Sequence, residues 1–155
     1  MATTYTVDKG KHYCNGIHFG TTSSDQKFRF MFHADCIYDE ATVIPGWNKL
    51  YGWSGSQNHQ NSVRIGWRCI TGKIIVGYYC YVNGTLVDGE LCEVLPGQWY
   101  EGECKVDNGN FVVRVNTFSQ TVPGGKKPLI AFINRFYFGG ESVAPHTMSA
   151  EIEKL

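Results

Sequence analysis

A chain of 155 residues with 14 Lys plus Arg and 14 Asp plus Glu carries no formal charge. That balance argues against a nucleic-acid partner, because phosphate contact dominates such affinity and demands a basic excess. No five-residue basic run and no apolar run near the roughly 20 residues of a bilayer span occurs, so no membrane insertion is expected either.

The length fits one domain over residues 1–155. Aromatic residues make up 14% of the chain, a content that suits strands and carbohydrate contacts alike. Met1-Ala2-Thr3-Thr4 has no basic region followed by an apolar core, so no signal peptide is visible. Location stays open; action outside a cell, at a cell surface or on a virion is compatible with the chain.

Strand signals follow one another along the whole chain. Residues 4–7 and 13–19 open it. Residues 27–38 alternate, with Phe28, Phe30 and Phe32 on one face and Arg29, Met31 and His33 on the other. The spacing allows a short helix only at 38–42. After Ile44-Pro45-Gly46 comes a short strand at 47–53, then a polar loop at 54–61 and a strand at 62–70. Lys73–Val82 is apolar on both faces, which predicts a central strand covered twice or one whose second face meets a ligand groove. Strands are expected next at Thr85–Val94, 99–106, 111–115, 129–138 and 147–154.

The turns are the clearest signal. Asp107-Asn108-Gly109-Asn110 separates two alternating runs, and Asn-Gly in that setting marks a hairpin. Thr71-Gly72 and Asn83-Gly84 repeat the pattern. An antiparallel all-β protein follows.

The six cysteines, at 14, 36, 69, 80, 92 and 104, form no Cys-x-x-Cys pair, which argues against a zinc knuckle or a thioredoxin-like site. Cys36 is in phase with Phe28, Phe30 and Phe32; Cys69 with Val63, Ile65 and Trp67; Cys104 with Tyr100 and Val106. Cysteines in phase with a core behave as small hydrophobes, so free thiols are favoured over disulfides.

The order of hairpins carries a resemblance. Arg64-Ile65-Gly66-Trp67-Arg68 precedes a strand ending Tyr81-Val82-Asn83-Gly84; then come Gly97-Gln98-Trp99, Asn108-Gly109-Asn110 and Val113-Arg114-Val115-Asn116. Gly-x-Trp, strand, Asn-Gly-Asn turn and alternating strand resemble the core of the concanavalin A-like lectin/glucanase superfamily, with its laminin G-like and galectin-like modules. The resemblance covers roughly residues 25–155 and implies an antiparallel two-sheet jelly-roll β-sandwich. Members include lectins, carbohydrate-binding modules, glycoside hydrolases, polysaccharide lyases and adhesion proteins, so the fold alone does not choose a function.

The family's sites are only partly matched. Galectin-like chains carry His-x-Asn-Pro-Arg; here His59-Gln60-Asn61-Ser62-Val63-Arg64 places the arginine one residue late, on the opposite strand face. Retaining glucanases of this fold place two carboxylates about 5 Å apart on one strand. The candidates here, Asp88, Glu90, Glu93, Glu101 and Glu103, read as a turn and a solvated outer strand. The Arg-rich strand, Gln-x-His pair and Tyr-Lys strand of the lyases are not legible. Asp107, Asn108 and Asn110 could offer calcium oxygens, but they are a turn signature first, so no cofactor is expected and calcium is the weaker alternative. Histidines 12, 18, 33, 59 and 146 show no ligand spacing.

Sugar recognition needs an aromatic platform and planar polar groups. Residues 47–68 hold both, and the candidate ligand-binding set is Trp47, Trp53, His59, Asn61, Arg64 and Arg68. Val63, Ile65 and Trp67 read as core, which turns Arg64 and Arg68 outward. Tyr79 and Tyr81 share one face of their strand and Tyr78 and Cys80 the other, with the groove side open. Gly139-Gly140 and His146 read as a wide turn closed by a histidine hydrogen bond, or as a loop at the groove rim. The leading expectation is a non-catalytic, lectin-like carbohydrate-binding module with a glycan or cell-surface polysaccharide as partner. The alternative is a structural or adhesion module of a cell surface or phage appendage, without a sugar site and with an oligomer interface. A glycoside hydrolase or lyase is third.

Overall fold

A computed structural model describes residues 1–16 and 20–155, so the predicted strand at 13–19 falls partly outside the described residues. Twelve strands form two six-stranded antiparallel sheets among those residues. One sheet runs β1 (Thr3–Val7), β12 (Met148–Lys154), β3 (Gln26–Phe32), β8 (Tyr100–Asp107), β9 (Asn110–Val115), β10 (Phe118–Pro123). The other runs β2 (Thr21–Thr22), β11 (Ala131–Asn134), β4 (Asn48–Ser54), β5 (Asn61–Ile70), β6 (Lys73–Val82), β7 (Thr85–Val94). The turn signals act as expected: Thr71, Asn83 and Asn108 all have φ near +50° and each is followed by a glycine, the geometry that joins β5 to β6, β6 to β7 and β8 to β9. The architecture is the jelly-roll β-sandwich expected from the hairpin order.

Period-two alternation places the core between the sheets. Phe28, Phe30 and Phe32 of β3 face Val63, Ile65 and Trp67 of β5, and all six are buried. Phe32 meets the Trp67 ring at 5.2 Å between centroids, and Phe28 meets Tyr51 at 4.8 Å. Burying each such ring contributes about 1.5–3 kcal/mol. All six cysteines are free, and five of them are buried. Burial pushes the thiols of Cys36 and Cys104 well above the ordinary range, and Cys80 up to about 12. No described helix is long and apolar enough to cross a membrane.

Three predicted elements differ from the structure, and one strand has no predicted counterpart. The strand at 27–38 ends at Phe32, because Ala34–Cys36 forms a 3-10 turn. Asp35 drives that change: its carboxylate accepts from the backbone N–H of Ser149 at 2.8 Å and from its hydroxyl at 2.9 Å. The helix at 38–42 shrinks to one 3-10 turn, Glu40–Thr42, capped by Asp39 accepting from the N–H of Ala41. The strand at 129–138 shortens to β11, with Tyr137 bridging both Tyr13 and Lys49. Strand β10 is absent from the sequence reading: it is an edge strand, exposed at all but Val122, and its polar sequence has no buried alternation to read. Asp88 and Glu90, read as flanking a turn, stand inside β7.

The outer faces of the two sheets differ in electrostatics. On the first, charges are paired: Arg29 with Glu153, Arg114 with Glu103 at 3.1 Å, and His33 with Glu151 at 3.1 Å. On the second, a β-bulge in β4 changes which residues look outward. Lys49 pairs with Gly66 but Tyr51 pairs with Ile65, leaving Leu50 as the extra residue. Leu50 and Tyr51 therefore both point into the core, and the phase of β4 reverses at that point. Lys49 and Gly52 look outward while Trp53 looks inward.

On that outer face Trp47 lies flat over two glycines. A Cβ on Gly66 would come within 3.1 Å of the indole, and one on Gly77 within 2.5 Å of it and 2.1 Å of the Gly89 carbonyl oxygen. Replacing Gly77 with Ala should therefore destabilise the protein by about 1–3 kcal/mol through overpacking. Urea unfolding of the two proteins checks this, and the midpoint should fall at unchanged slope.

Candidate functional site

The outer face of the second sheet forms a cleft of about 1040 Å³. That volume stands at the upper end of the roughly 300–1,000 Å³ typical of ligand pockets. Its floor is written in the strand registers. Across the outer face Gly52, Arg64, Tyr79 and Asp88 are cross-strand neighbours in one row, with Ser54, Ser62, Tyr81 and Leu86 on one side and Lys49, Gly66, Gly77 and Glu90 on the other; of these, Lys49, Ser54, Arg64, Tyr79 and Tyr81 line the cleft, and Asp88 and Glu90 on β7 lie outside its lining. The loop after β11 closes one wall with Tyr137, Gly139 and Gly140.

Arg64 is the centre of this floor. It is 6% exposed, and burial holds its guanidinium below the ordinary arginine range. Gly52 makes room for it: at φ +156°, a Cβ there would lie 2.6 Å from the Arg64 Cα and 3.0 Å from its Cγ. Nη2 reaches the Asn58 carbonyl oxygen, the Asn58 side-chain oxygen and the Ser62 hydroxyl only at 3.4–3.5 Å, and Nε has no hydrogen-bond partner. The guanidinium stands 5.6 Å from the Tyr79 ring centroid. Among the described residues, no carboxylate lies within ion-pair distance of it.

Lys49 and Arg135 are further cations of the lining, and Lys49 lies beside Tyr79 with Arg64. Its ammonium donates to the carbonyl oxygens of Trp47 at 3.0 Å and Gly139 at 3.3 Å, and lies 4.7 Å from the Tyr79 centroid and 5.5 Å from that of Tyr137. Burial, then the charge of Arg64, bring it down to about 8. Burial, then the Tyr81 hydroxyl, push Tyr79 up to about 12, so its phenol stays protonated at neutral pH. None of the described residues lining the cleft is Asp or Glu. The chemistry of the surface is cationic floor, phenolic rings and amide groups.

The predicted site residues divide. His59 and Arg64 both line the cleft, with His59 stacked on Tyr81 at 4.9 Å and 27°. Trp47 and Arg68 form a separate stack beside it: the Arg68 guanidinium lies 4.2 Å from the indole centroid and pairs with Glu90 at 2.6 Å, while Trp47 Nε1–H donates to Asp88 at 2.8 Å. Trp47 is thus a buried wall rather than an open platform. Asn61 donates to the Lys126 carbonyl oxygen at 2.9 Å, away from the floor. Trp53 is fully buried, edge-on to Phe111 at 5.6 Å, and cannot reach a ligand in the cleft. The bulge at Leu50 is the reason, since it turns Trp53 to the core.

Lys49, Asn58, Tyr79, Tyr81 and Tyr137 join the cleft without having been singled out as ligand residues. For Tyr79 and Tyr81 the signal existed in the alternation of β6, once Cys80 is placed in the core. Gly139 and Gly140 line the cleft, while His146 hydrogen-bonds the Asp35 carbonyl oxygen at 2.6 Å, in the 3-10 turn Ala34–Cys36 rather than within its own turn. The Asp107–Asn110 segment is the β8–β9 hairpin turn, and no group of three His, Cys, Asp or Glu that could hold a metal ion occurs among the described residues.

No family model matches the sequence, and no curated protein matches it. Solved structures do match in shape. A functionally unknown protein from Saccharomyces cerevisiae has TM-score 0.59 at 9% identity, over 97% of this chain and 83% of that one. A polysaccharide lyase of family 18 has TM-score 0.59 at 10% identity, over 99% and 87%. An alginate lyase from Alteromonas sp. 272 has TM-score 0.58 at 10% identity, over 99% and 88%. At these identities the likeness shows the fold alone, a jelly-roll β-sandwich.

Proposed function

We propose that the chain is a lectin-like carbohydrate-binding protein whose cleft takes an acidic glycan. Arg64 carries the reading. A guanidinium held out of water without a counter-charge costs several kcal/mol, and a ligand carboxylate would supply the missing partner in bidentate geometry. Lys49 adds a second cation, Tyr79, Tyr81 and Tyr137 offer ring faces to pyranoses, and Asn58 and His59 can bond hydroxyls. That carbohydrate chemistry occurs on this fold in the lyases named above is consistent with the proposal.

Two variants test it. Arg64→Met removes the buried charge and keeps apolar volume, so the melting temperature should hold or rise. Binding of uronate-containing oligosaccharides, measured by isothermal titration, should weaken by about 10–100-fold, the worth of a charge-assisted hydrogen bond. Unchanged affinity in that variant refutes the assignment. A neutral glucan of equal length should bind weakly to both proteins, and chelator should change nothing.

The pH dependence has a definite sign. Lys49 is charged below about 8 and neutral above it, so affinity for an anionic glycan should fall as pH rises from 7 to 9. In Lys49→Met that slope should vanish.

A second reading rests on the same lysine. A neutral Lys49 amine beside a carboxylate held by Arg64 could remove the proton on the carbon bearing that carboxylate. The electron pair then forms the C4–C5 double bond, the glycosidic C4–O bond breaks, and the Tyr79 hydroxyl gives its proton to the departing oxygen. Ultraviolet absorbance of the unsaturated sugar would rise with time, faster as pH climbs through about 8, and not at all in Lys49→Met. A flat trace with every bound oligosaccharide leaves binding as the whole function.

A further inference from the structure

A second cavity, of about 280 Å³, joins the cleft across Lys49, Tyr79, Gly139 and Gly140, which line both. Its character is different. Ile44, Pro45, Trp47 and Leu86 give it apolar walls, and Asp88 and Glu141 bring two carboxylates. Asp88 is fixed in place by the Trp47 indole N–H at 2.8 Å, and the two rim loops are tied together by the Ile44 N–H donating to the Ser142 hydroxyl at 2.8 Å. A ligand passing from the cleft into this cavity thus leaves a floor without carboxylates and enters one that has two.

We propose that this cavity is a subsite for an uncharged sugar, so that the ligand is a heteropolysaccharide in which an acidic residue adjoins an uncharged one. The proposal rests on the acidic-glycan reading of the cleft. A second uronate placed here would stand against Asp88 and Glu141 with no cation beyond Lys49 to offset them, and like-charge contact is unfavourable at short range. An uncharged pyranose, by contrast, meets what such a sugar needs. Ile44, Pro45 and Leu86 offer apolar surface to its ring face or to an acetyl group, and the two carboxylates accept from its hydroxyl or amide N–H groups.

The test is a titration of the whole chain with tetrasaccharides of equal length. Two alternate: glucuronate with N-acetylglucosamine, and glucuronate with glucose. Two are uniform: oligogalacturonate and oligomannuronate. At least one alternating probe should bind about tenfold more tightly than either uniform one. The double variant Asp88→Asn, Glu141→Gln keeps the shapes and an acceptor for the Trp47 N–H; it should bring the uniform probes to within roughly threefold of the alternating one. Uniform probes that bind wild type as tightly as alternating ones overturn the subsite while leaving the cleft reading intact. So does a preference that survives in the double variant. If no probe of either kind binds the folded protein, the acidic-glycan reading fails and the subsite with it.

Discussion

A guanidinium taken out of water without a counter-ion is the constraint around which this sheet is arranged. Everything near Arg64 tolerates the charge without neutralising it. Gly52 opens space for its stem, Tyr79 lends a ring face, and Asn58 and Ser62 sit at the limit of hydrogen-bond distance. The contrast with the opposite sheet sharpens the point. There, Arg29 and Arg114 have carboxylates at hand on exposed strands, where such pairs are worth little. Arg64, more than nine-tenths buried, has no carboxylate partner, whereas the more exposed Arg29, Arg68 and Arg114 each have one. Stability alone would select the reverse arrangement, which is why the cleft reads as a place prepared for an external anion.

The neighbouring features extend that logic across the face. Trp47 occupies the stretch over Gly66 and Gly77 where a side chain would otherwise project, and so sets the boundary between the cationic cleft and the smaller acidic cavity. Its indole N–H orients Asp88, and its ring supports Arg68, which is drawn to Glu90 and away from the floor. One tryptophan thereby sorts the charges: Arg68 is neutralised on its far side, while Arg64 and Lys49 are left bare on the near one.

Much of the fold was legible in the sequence because its signals are local. Asn-Gly and Thr-Gly turns need φ above zero, and alternation over β3, β5 and β9 needs only one buried face. The core assignments of Val63, Ile65 and Trp67 followed, and with them the outward turn of Arg64. The site was less legible because its decisive features are non-local. The strand expected at 47–53 makes Trp53 equivalent to Trp47, six residues away, and only the extra residue Leu50 separates them onto opposite faces. No local pattern announces a bulge in a strand that is buried at every position but Lys49. The seat for Trp47 depends on glycines from two other strands, β5 and β6, brought together by register. Lys49 reads in sequence as an ordinary surface lysine; its burial is made by the distant Tyr137–Gly140 segment.

The strand order has a kinetic side. In the first sheet β12 lies between β1 and β3, so residues 148–154 supply the join for two segments from the beginning of the chain. Until that late segment docks, β1 has no partner strand and the inner edge of β3 is unpaired. Closing loops of such length is entropically slow, and folding of sandwiches with distant pairings proceeds over milliseconds to seconds. The intermediate that waits for β12 exposes hydrogen-bonding backbone beside Phe28, Phe30 and Phe32, the kind of edge that recruits other chains. Self-association of this protein would then begin with a missing strand rather than with a surface of the finished sandwich.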